Sequence, residues 1–355
     1  MRVFENYKVL ARESAESVLL SRHNHIYALD LDALRLARRF SFPYELKGVA
    51  GRVSRRLRRF LRGDIRYGLM RRNGELVVAY AKMLHVIDTK SWTLVRSLGL
   101  PRGPRPLNMV ELNDFDGFED GLYFGEYLSN ASKSPTSIFQ VSECDLIEKY
   151  RFAEGQTNHI HNLVPDSQAG HVWVLAGDFG ECAAIHRAHD NFSRVERIVG
   201  GEQRYRACAA FVTNQGLLYA TDSQFERNSI RLLREVRGRW LSDEIAPLNG
   251  PCTYGTRVGD DFVFSTTVEG VGEGNALRRW TNTKRGPGVF ENRSEIVRGN
   301  LRDGFRKVYS GEKDGLPFLP FQFGNIMFPS GDEPLPRLVF TPIGLRNHDF
   351  STLIL

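Results

Sequence analysis

HIHNLVPDSQAGHVWVLAGD, residues 159–178, decides the fold. Two apolar strands flank a polar turn, and the second strand ends in an acid. The same plan recurs in LNMVELNDFDGFEDGLYFGEY (107–127), RACAAFVTNQGLLYATDS (206–223) and TYGTRVGDDFVFSTTVE (253–269). Second strands begin near Leu122, Val172, Leu218 and Phe262, a period of about 45 to 50 residues, which is that of a β-propeller blade. In such a blade the innermost strand runs from the top face to the bottom and its neighbour returns. The start of the first strand and the end of the second therefore meet on one face, around the axis. The plan puts Arg66, Lys82, Glu126, Tyr127, His159, His161, Asp178, Arg206, Asp222, Tyr254, Glu269 and Gln322 on that face.

Working outward, the chain reads as all-β: a closed β-propeller of seven four-stranded blades in a single domain, residues 1–355. The last blade, with FGNIMFPS, RLVFTPIGL and DFSTLIL, lacks an outer strand, while RVFEN (2–6) precedes the first blade with nothing to pair with. The N-terminal strand is expected to join the last blade, closing the ring and removing open sheet edges. Two stretches interrupt the plan. Residues 43–65 read as a basic helical insertion between blades 1 and 2, and residues 283–315 as an insertion in blade 6. Within GRVSRRLRRFLRGDIR (51–66), Val53, Leu57, Phe60 and Leu61 are spaced for one helix face. Arg52, Arg55, Arg56, Arg58, Arg59 and Arg62 then cover the rest, forming either a solvated face or an electropositive lip that draws anions to the mouth.

The net charge is +6, from 48 Lys and Arg against 42 Asp and Glu, and much of the excess sits in that segment. No aromatic platforms interleave with its arginines, which argues against nucleic acid as a partner. Weak contact of 51–66 with a membrane surface stays open. The four cysteines, Cys144, Cys182, Cys208 and Cys252, lack metal-ligand spacing and read as ordinary thiols. No apolar run reaches membrane-span length. The N-terminal MRVFENYKVLARES has no leader pattern, so a cytoplasmic location is expected. The oligomeric state is not legible.

His159 and His161 carry the clearest chemical signal. Residues i and i+2 of a strand point the same way, so both imidazoles can face the axis. Histidine suits proton abstraction near neutrality and also ligates divalent metals. Glu126, Asp178, Asp222 and Glu269 bring four acids from successive blades, and two opposed carboxylates are what glycoside hydrolysis needs. Arg206, Arg204, Arg66, Lys82 and Gln322 are candidate substrate binders. Tyr127 and Tyr254 are candidate proton donors.

The motifs FGEY, HIHNLV with VWVLAGD, EQRYRA, LYATDS, TTVE and FQFGNI, between about residues 106 and 342, resemble carbohydrate-active propellers. These include sialidase-like proteins, whose Asp-box turns the acidic turns ALDLDALRLA and VIDTKSWTLV resemble in degenerate form, and propeller polysaccharide lyases. The resemblance implies a divalent metal such as Mn, Zn or Ca, or a base, at His159, His161 and Gln322. It further implies Tyr127 or Tyr254 as the acid and Arg206 on a uronate carboxylate. The expected function is a lyase or glycosidase acting on an acidic oligo- or polysaccharide. The alternative is a non-catalytic propeller that binds a glycan or a protein.

Overall fold

Tight turns return each strand antiparallel to the one before it, and the pattern repeats until seven four-stranded sheets are complete. The structure, a computed structural model, describes residues 1–43, 46–272 and 275–355. The inner strands are Lys8–Arg12, Tyr67–Met70, Met109–Leu112, Ile160–Asp166, Ala207–Thr213, Cys252–Val258 and Asn325–Met327. In six blades the strands pair in chain order. In the seventh, Asn325–Met327, Val339–Ile343 and Thr352–Ile354 are completed by Arg2–Phe4, with Arg2 opposite Ile354 and Phe4 opposite Thr352. Both chain ends thus share one sheet and the ring closes.

The core lies between blades. Leu10, Ile26, Leu76 and Val78 pack the first against the second, and Val110, Tyr123, Leu163 and Val174 the third against the fourth. Each such side chain contributes about 1.5–3 kcal/mol by leaving water. Acidic residues punctuate the outer turns: Asp30 Oδ1 accepts from the backbone N–H groups of Asp32 and Ala33 at 2.9 and 2.7 Å. Such a carboxylate holds its turn together.

Two departures from expectation concern the insertions. The stretch 283–315 is not an excursion as a whole, because Arg293–Asn300 and Gly304–Glu312 are the two outer strands of the sixth blade. The excursion lies earlier, between Asp261–Thr266 and Arg293–Asn300. Arg293–Asn300 is buried but rich in polar residues, and Gly304–Glu312 is polar and partly exposed, so apolar periodicity is weak in both.

The segment between blades 1 and 2 holds two short helices, α1 (Leu46–Ala50) and α2 (Arg55–Leu61). Ser54 caps α2, its Oγ accepting from Leu57 N–H at 3.1 Å. The expected burial is inverted. Arg58 and Arg59 are only 3% and 1% exposed, whereas Val53 and Phe60 face out. Arg58 Nε lies 2.8 Å from Asp64 Oδ2, and its guanidinium stacks 4.0 Å over the Phe350 ring. Arg59 pairs with Asp314, donates to the Phe321 carbonyl at 2.5 Å and lies 3.9 Å from Asp349. Asp64, just beyond the helix, and Asp314 and Asp349, from distant parts of the chain, thus pull these arginines inward, at a desolvation cost that only full pairing offsets. Two further helices stand on the same face: α3 (Ala276–Thr281) in the blade 6 excursion, and α4 (Phe318–Phe321) before the last inner strand.

Candidate functional site

The inner strands of several blades begin with an irregularity at the same height. Pairing shifts between Val9 and Ala11, Ile160 and Asn162, Ala207 and Ala209, and Cys252 and Tyr254. The skipped residues are Leu10, His161, Cys208 and Thr253. A bulge of this kind re-aims a side chain. His161 therefore reaches the axis from a bulge rather than by plain strand alternation, and His159 sits just before the strand begins.

There the two imidazoles meet, with Nε2 atoms 2.9 Å apart. His159 Nδ1 lies 2.8 Å from the Leu128 carbonyl and His161 Nδ1 lies 2.9 Å from the Ala207 carbonyl. A carbonyl only accepts, so each Nδ1 carries the proton and, in the neutral rings, both Nε2 atoms present lone pairs. They aim at Asp178 Oδ1, at 3.3 and 3.5 Å. Asp178 reaches this spot because Gly177 turns the chain with φ +79°, and a Cβ there would fall 1.6 Å from the Cys182 carbonyl oxygen.

Arg206 spans the acids. Its Nη2 lies 3.1 Å from Asp178 Oδ1 and 3.4 Å from Asp222 Oδ2, and its Nη1 donates to Gln224 Oε1 at 2.9 Å. Cys208 Sγ and Thr253 Oγ1 close on the two oxygens of Asp222 at 3.3 and 3.4 Å. Burial works to raise the Asp178 carboxyl, but the Arg206 charge and the two imidazoles hold it well below the usual carboxylate range. Burial, reinforced by the charge of Asp222, pushes Glu269 up to about 7, against the Thr267 hydroxyl that donates to it at 2.7 Å. Burial lowers His161 despite Asp178, favouring the neutral ring. The Tyr127 ring lies 4.6 Å from that of His159, and burial raises its phenol, which stays protonated.

Beneath this cluster the channel opens into a cavity of about 280 Å³, whose lining includes Arg66, Asn108, Asn162, Cys208, Thr253 and Tyr254. Arg66 has no acidic partner within salt-bridge reach among the described residues, and burial, with Arg105 and Arg62, lowers it to about 10. Arg105 donates to the carbonyls of Pro106 and Leu107 and lies 3.4 Å from Tyr254 Oη, again without a carboxylate. Cations thus sit toward blades 2 and 3, and imidazoles and acids toward blades 4 to 6.

Of the residues expected at the mouth, His159, His161, Asp178, Arg206, Asp222, Glu269 and Tyr127 gather in the cluster there, while Tyr254 and Arg66 line the cavity beneath it. Four lie elsewhere. Glu126 is buried between Arg102, at 3.0 and 2.5 Å, and the Ser137 N–H. Gln322, expected among the metal ligands, sits at φ +67° after α4 and donates to the Arg59 carbonyl at 3.1 Å. Arg204 is exposed and paired with Glu202 at 2.6 Å. Lys82 is exposed in a turn of blade 2. Asp178 takes the place foreseen for Gln322 beside the histidines. Arg105, Cys208 and Thr253 escaped sequence reading. Arg105 lies in an irregular loop with no period, although its position just before LNMVEL was a usable signal.

The atoms His159 Nε2, His161 Nε2 and Asp178 Oδ1 form a triangle with edges of 2.9, 3.3 and 3.5 Å. Ligands bound at roughly 2.0–2.1 Å to a tetrahedral ion stand about 3.3 Å apart. His161, Cys208 and Asp222 form a second, deeper trio of ligand atoms.

No protein-family model matches this sequence, and no curated protein matches it. Solved structures share the architecture. Virginiamycin B lyase from Staphylococcus aureus superposes with a TM-score of 0.57 at 12% identity, over 98% of this chain and 94% of that one. The β-propeller domain of Cps50 (Swd1) from Myceliophteria thermophila gives 0.56 at 10% identity, over 100% and 97%. The AfRom2 CNH domain gives 0.52 at 6%, over 99% and 94%. None of these is a sialidase-like protein or a polysaccharide lyase, and at such identities the likeness shows the fold alone.

Proposed function

We propose that the channel mouth is the active site of an enzyme that cleaves an acidic, uronate-type saccharide by elimination. The observation that carries this reading is the pair Arg66, which lines the cavity, and Arg105, which lies 3.4 Å from Tyr254 Oη and over the Tyr127 ring beside His159: two guanidiniums without carboxylate partners among the described residues, close to a cluster of imidazoles and acids. Arg206 was the expected carboxylate binder, but Asp178, Asp222 and Gln224 already engage it, so it positions those acids. The substrate carboxylate goes to Arg66 and Arg105, for which a planar anion is the natural partner. His159, His161 and Asp178 suit a divalent cation, whose charge would stabilise the carbanion-like transition state. Their outward Nδ1–H groups are fixed by backbone carbonyls, the arrangement that orients metal-ligating histidines.

Glu269, titrating near neutrality, accepts the proton from the carbon next to the carboxylate. The C–H electron pair becomes the new double bond, the bond to the leaving oxygen breaks, and Tyr254 donates its proton to that oxygen. Glu269 then returns its proton through solvent to the phenolate. A second reading, hydrolysis, is favoured by one observation: Glu269 is raised beside Asp222, an acid and carboxylate with separated titrations. Incubation with uronate-containing oligosaccharides separates the two. Elimination yields an unsaturated uronate absorbing in the near ultraviolet, and hydrolysis yields reducing ends without that absorbance. If neither product forms with any acidic saccharide, the enzymatic reading fails and the binding propeller stands.

A further inference from the structure

Two excursions on the top face lie outside the seven sheets, one carrying α1 and α2, the other α3. They meet: the Phe60 ring lies 6.1 Å from Trp280 and 6.0 Å from Phe321 of α4. This surface presents its apolar side chains to solvent. Val53 is 81% exposed, Leu277 72%, Trp280 49% and Phe60 42%. Arg55, Arg56, Arg278, Arg279, Lys284 and Arg285 stand exposed among them. Neither residues 49–63 nor residues 275–285 contain an acid. Of the six cations, only Arg55 has an acidic partner among the described residues, Glu5 at 3.8 Å. The buried pairs of Arg58 with Asp64 and Arg59 with Asp314 fasten α2 from beneath, so Phe60 is held outward by fixed structure.

We infer that this surface docks onto an anionic lipid bilayer. Exposed apolar residues grouped on one face mark an interaction site. Here they are mixed with cations that, Arg55 apart, have no acidic partner among the described residues, and an anionic membrane interface rewards both. Indole rings settle at headgroup depth. Arginine stems lie along apolar surface while their guanidiniums reach phosphates, and basic clusters are drawn to anionic leaflets. Nucleic acid would reward the arginines but not Val53 and Leu277, which offer no ring on which a base can stack. Docked this way, the protein turns its channel mouth toward the bilayer, because α2, α3 and the mouth share one face. The inference does not depend on the chemistry proposed for that mouth.

The test is flotation of the full-length protein with vesicles of phosphatidylcholine alone or with about 30 mol % phosphatidylglycerol. Partitioning should be at least roughly tenfold stronger onto the anionic vesicles and should weaken as salt rises. Combined Arg55→Gln, Arg56→Gln, Arg278→Gln and Arg279→Gln changes should abolish that preference. Leu277→Ser with Trp280→Ser should cost about tenfold with every cation retained. These side chains are exposed, so melting temperatures should match the parent. A further measurement does not depend on any destabilising change. Brominated lipid should quench Trp280 emission, read as the difference between the parent and Trp280→Phe. Three results would each overturn the inference. The first is no partitioning by the parent, and the second is unchanged binding by the Leu277/Trp280 variant, which would mean adsorption by charge alone. The third is binding of a single-stranded RNA oligonucleotide with no vesicle binding and no quenching.

Discussion

His159 and His161 face each other through Nε2 atoms 2.9 Å apart, while each Nδ1 is committed to a backbone carbonyl on a different blade. In the neutral rings, two lone pairs and a carboxylate oxygen then point at one spot. Arg206 Nη2 already lies 3.1 Å from that oxygen, so the unmet demand is that of the two facing lone pairs, for a shared proton or a metal ion between them.

Metal loading tests that demand. The purified protein, stripped and reloaded with Co²⁺ or Zn²⁺, should bind one ion at the upper triangle. Co²⁺ should give the visible absorption of a four-coordinate site. Asp178→Asn and His159→Ala should each weaken binding by about 10-fold or more while leaving the apo protein folded. Unchanged stoichiometry and affinity in both variants would leave a shared proton as the resolution.

Carboxylate recognition should follow Arg66 and Arg105. Replacing either by alanine removes a charge-assisted contact of about 1.5–3 kcal/mol, so KM for an acidic oligosaccharide should rise about 10- to 100-fold. A neutral oligosaccharide of the same length should show no such change. Equal effects on both would indicate a structural role.

Ring closure predicts a long-range consequence of a short deletion. Removing residues 1–7 strips Arg2–Phe4 from Thr352–Ile354 and also removes the Tyr7 carbonyl, which accepts from Thr352 Oγ1 at 2.9 Å. Loss of a whole edge strand should lower the melting temperature by about 10 °C or more, or yield insoluble protein. A truncated chain as stable as the parent would show that closure does not hold the ring.

Lys8 gives the stability a particular pH dependence. Burial, only partly opposed by Asp64, presses its ammonium from 10.5 to about 7, although it donates to the Ile65 carbonyl. Between those values the unfolded chain holds the extra proton, so stability rises with pH across that window. Urea denaturation at pH 7.5 and 9.5 should show the parent gaining up to about 2 kcal/mol relative to Lys8→Met. A flat difference would mean that Lys8 stays charged when folded.

The blade plan was legible because a hairpin's pattern is local. Apolar alternation, a polar turn and the recurrence of the unit need no knowledge of distant residues. The unpartnered RVFEN and the missing last strand implied closure for the same reason. The top-face positions of His159, His161, Asp178 and Asp222 followed from strand direction alone. The outer strands of the sixth blade, RSEIVRGN and GFRKVYSGE, were missed because polar residues dominate both and the apolar signal thins.

Sequence by itself therefore determined a closed seven-bladed ring and, among the polar residues near its mouth, the histidine pair with Asp178, Arg206 and Asp222. The tertiary structure alone decided their partners. Arg206 was drawn to Asp178 and Asp222, Glu126 was captured by Arg102, Gln322 was turned to the Arg59 carbonyl, and Arg66 and Arg105 were left without carboxylates among the described residues. It also inverted α2, burying Arg58 and Arg59 on acids contributed from outside that helix and exposing Val53 and Phe60. The physical reason is one of range. Strand period and turn chemistry arise among neighbours in the chain. A buried charge settles wherever a counter-charge and hydrogen bonds best offset its desolvation, and those come from other strands and loops, from six residues away for Arg58 and Asp64 to 255 for Arg59 and Asp314.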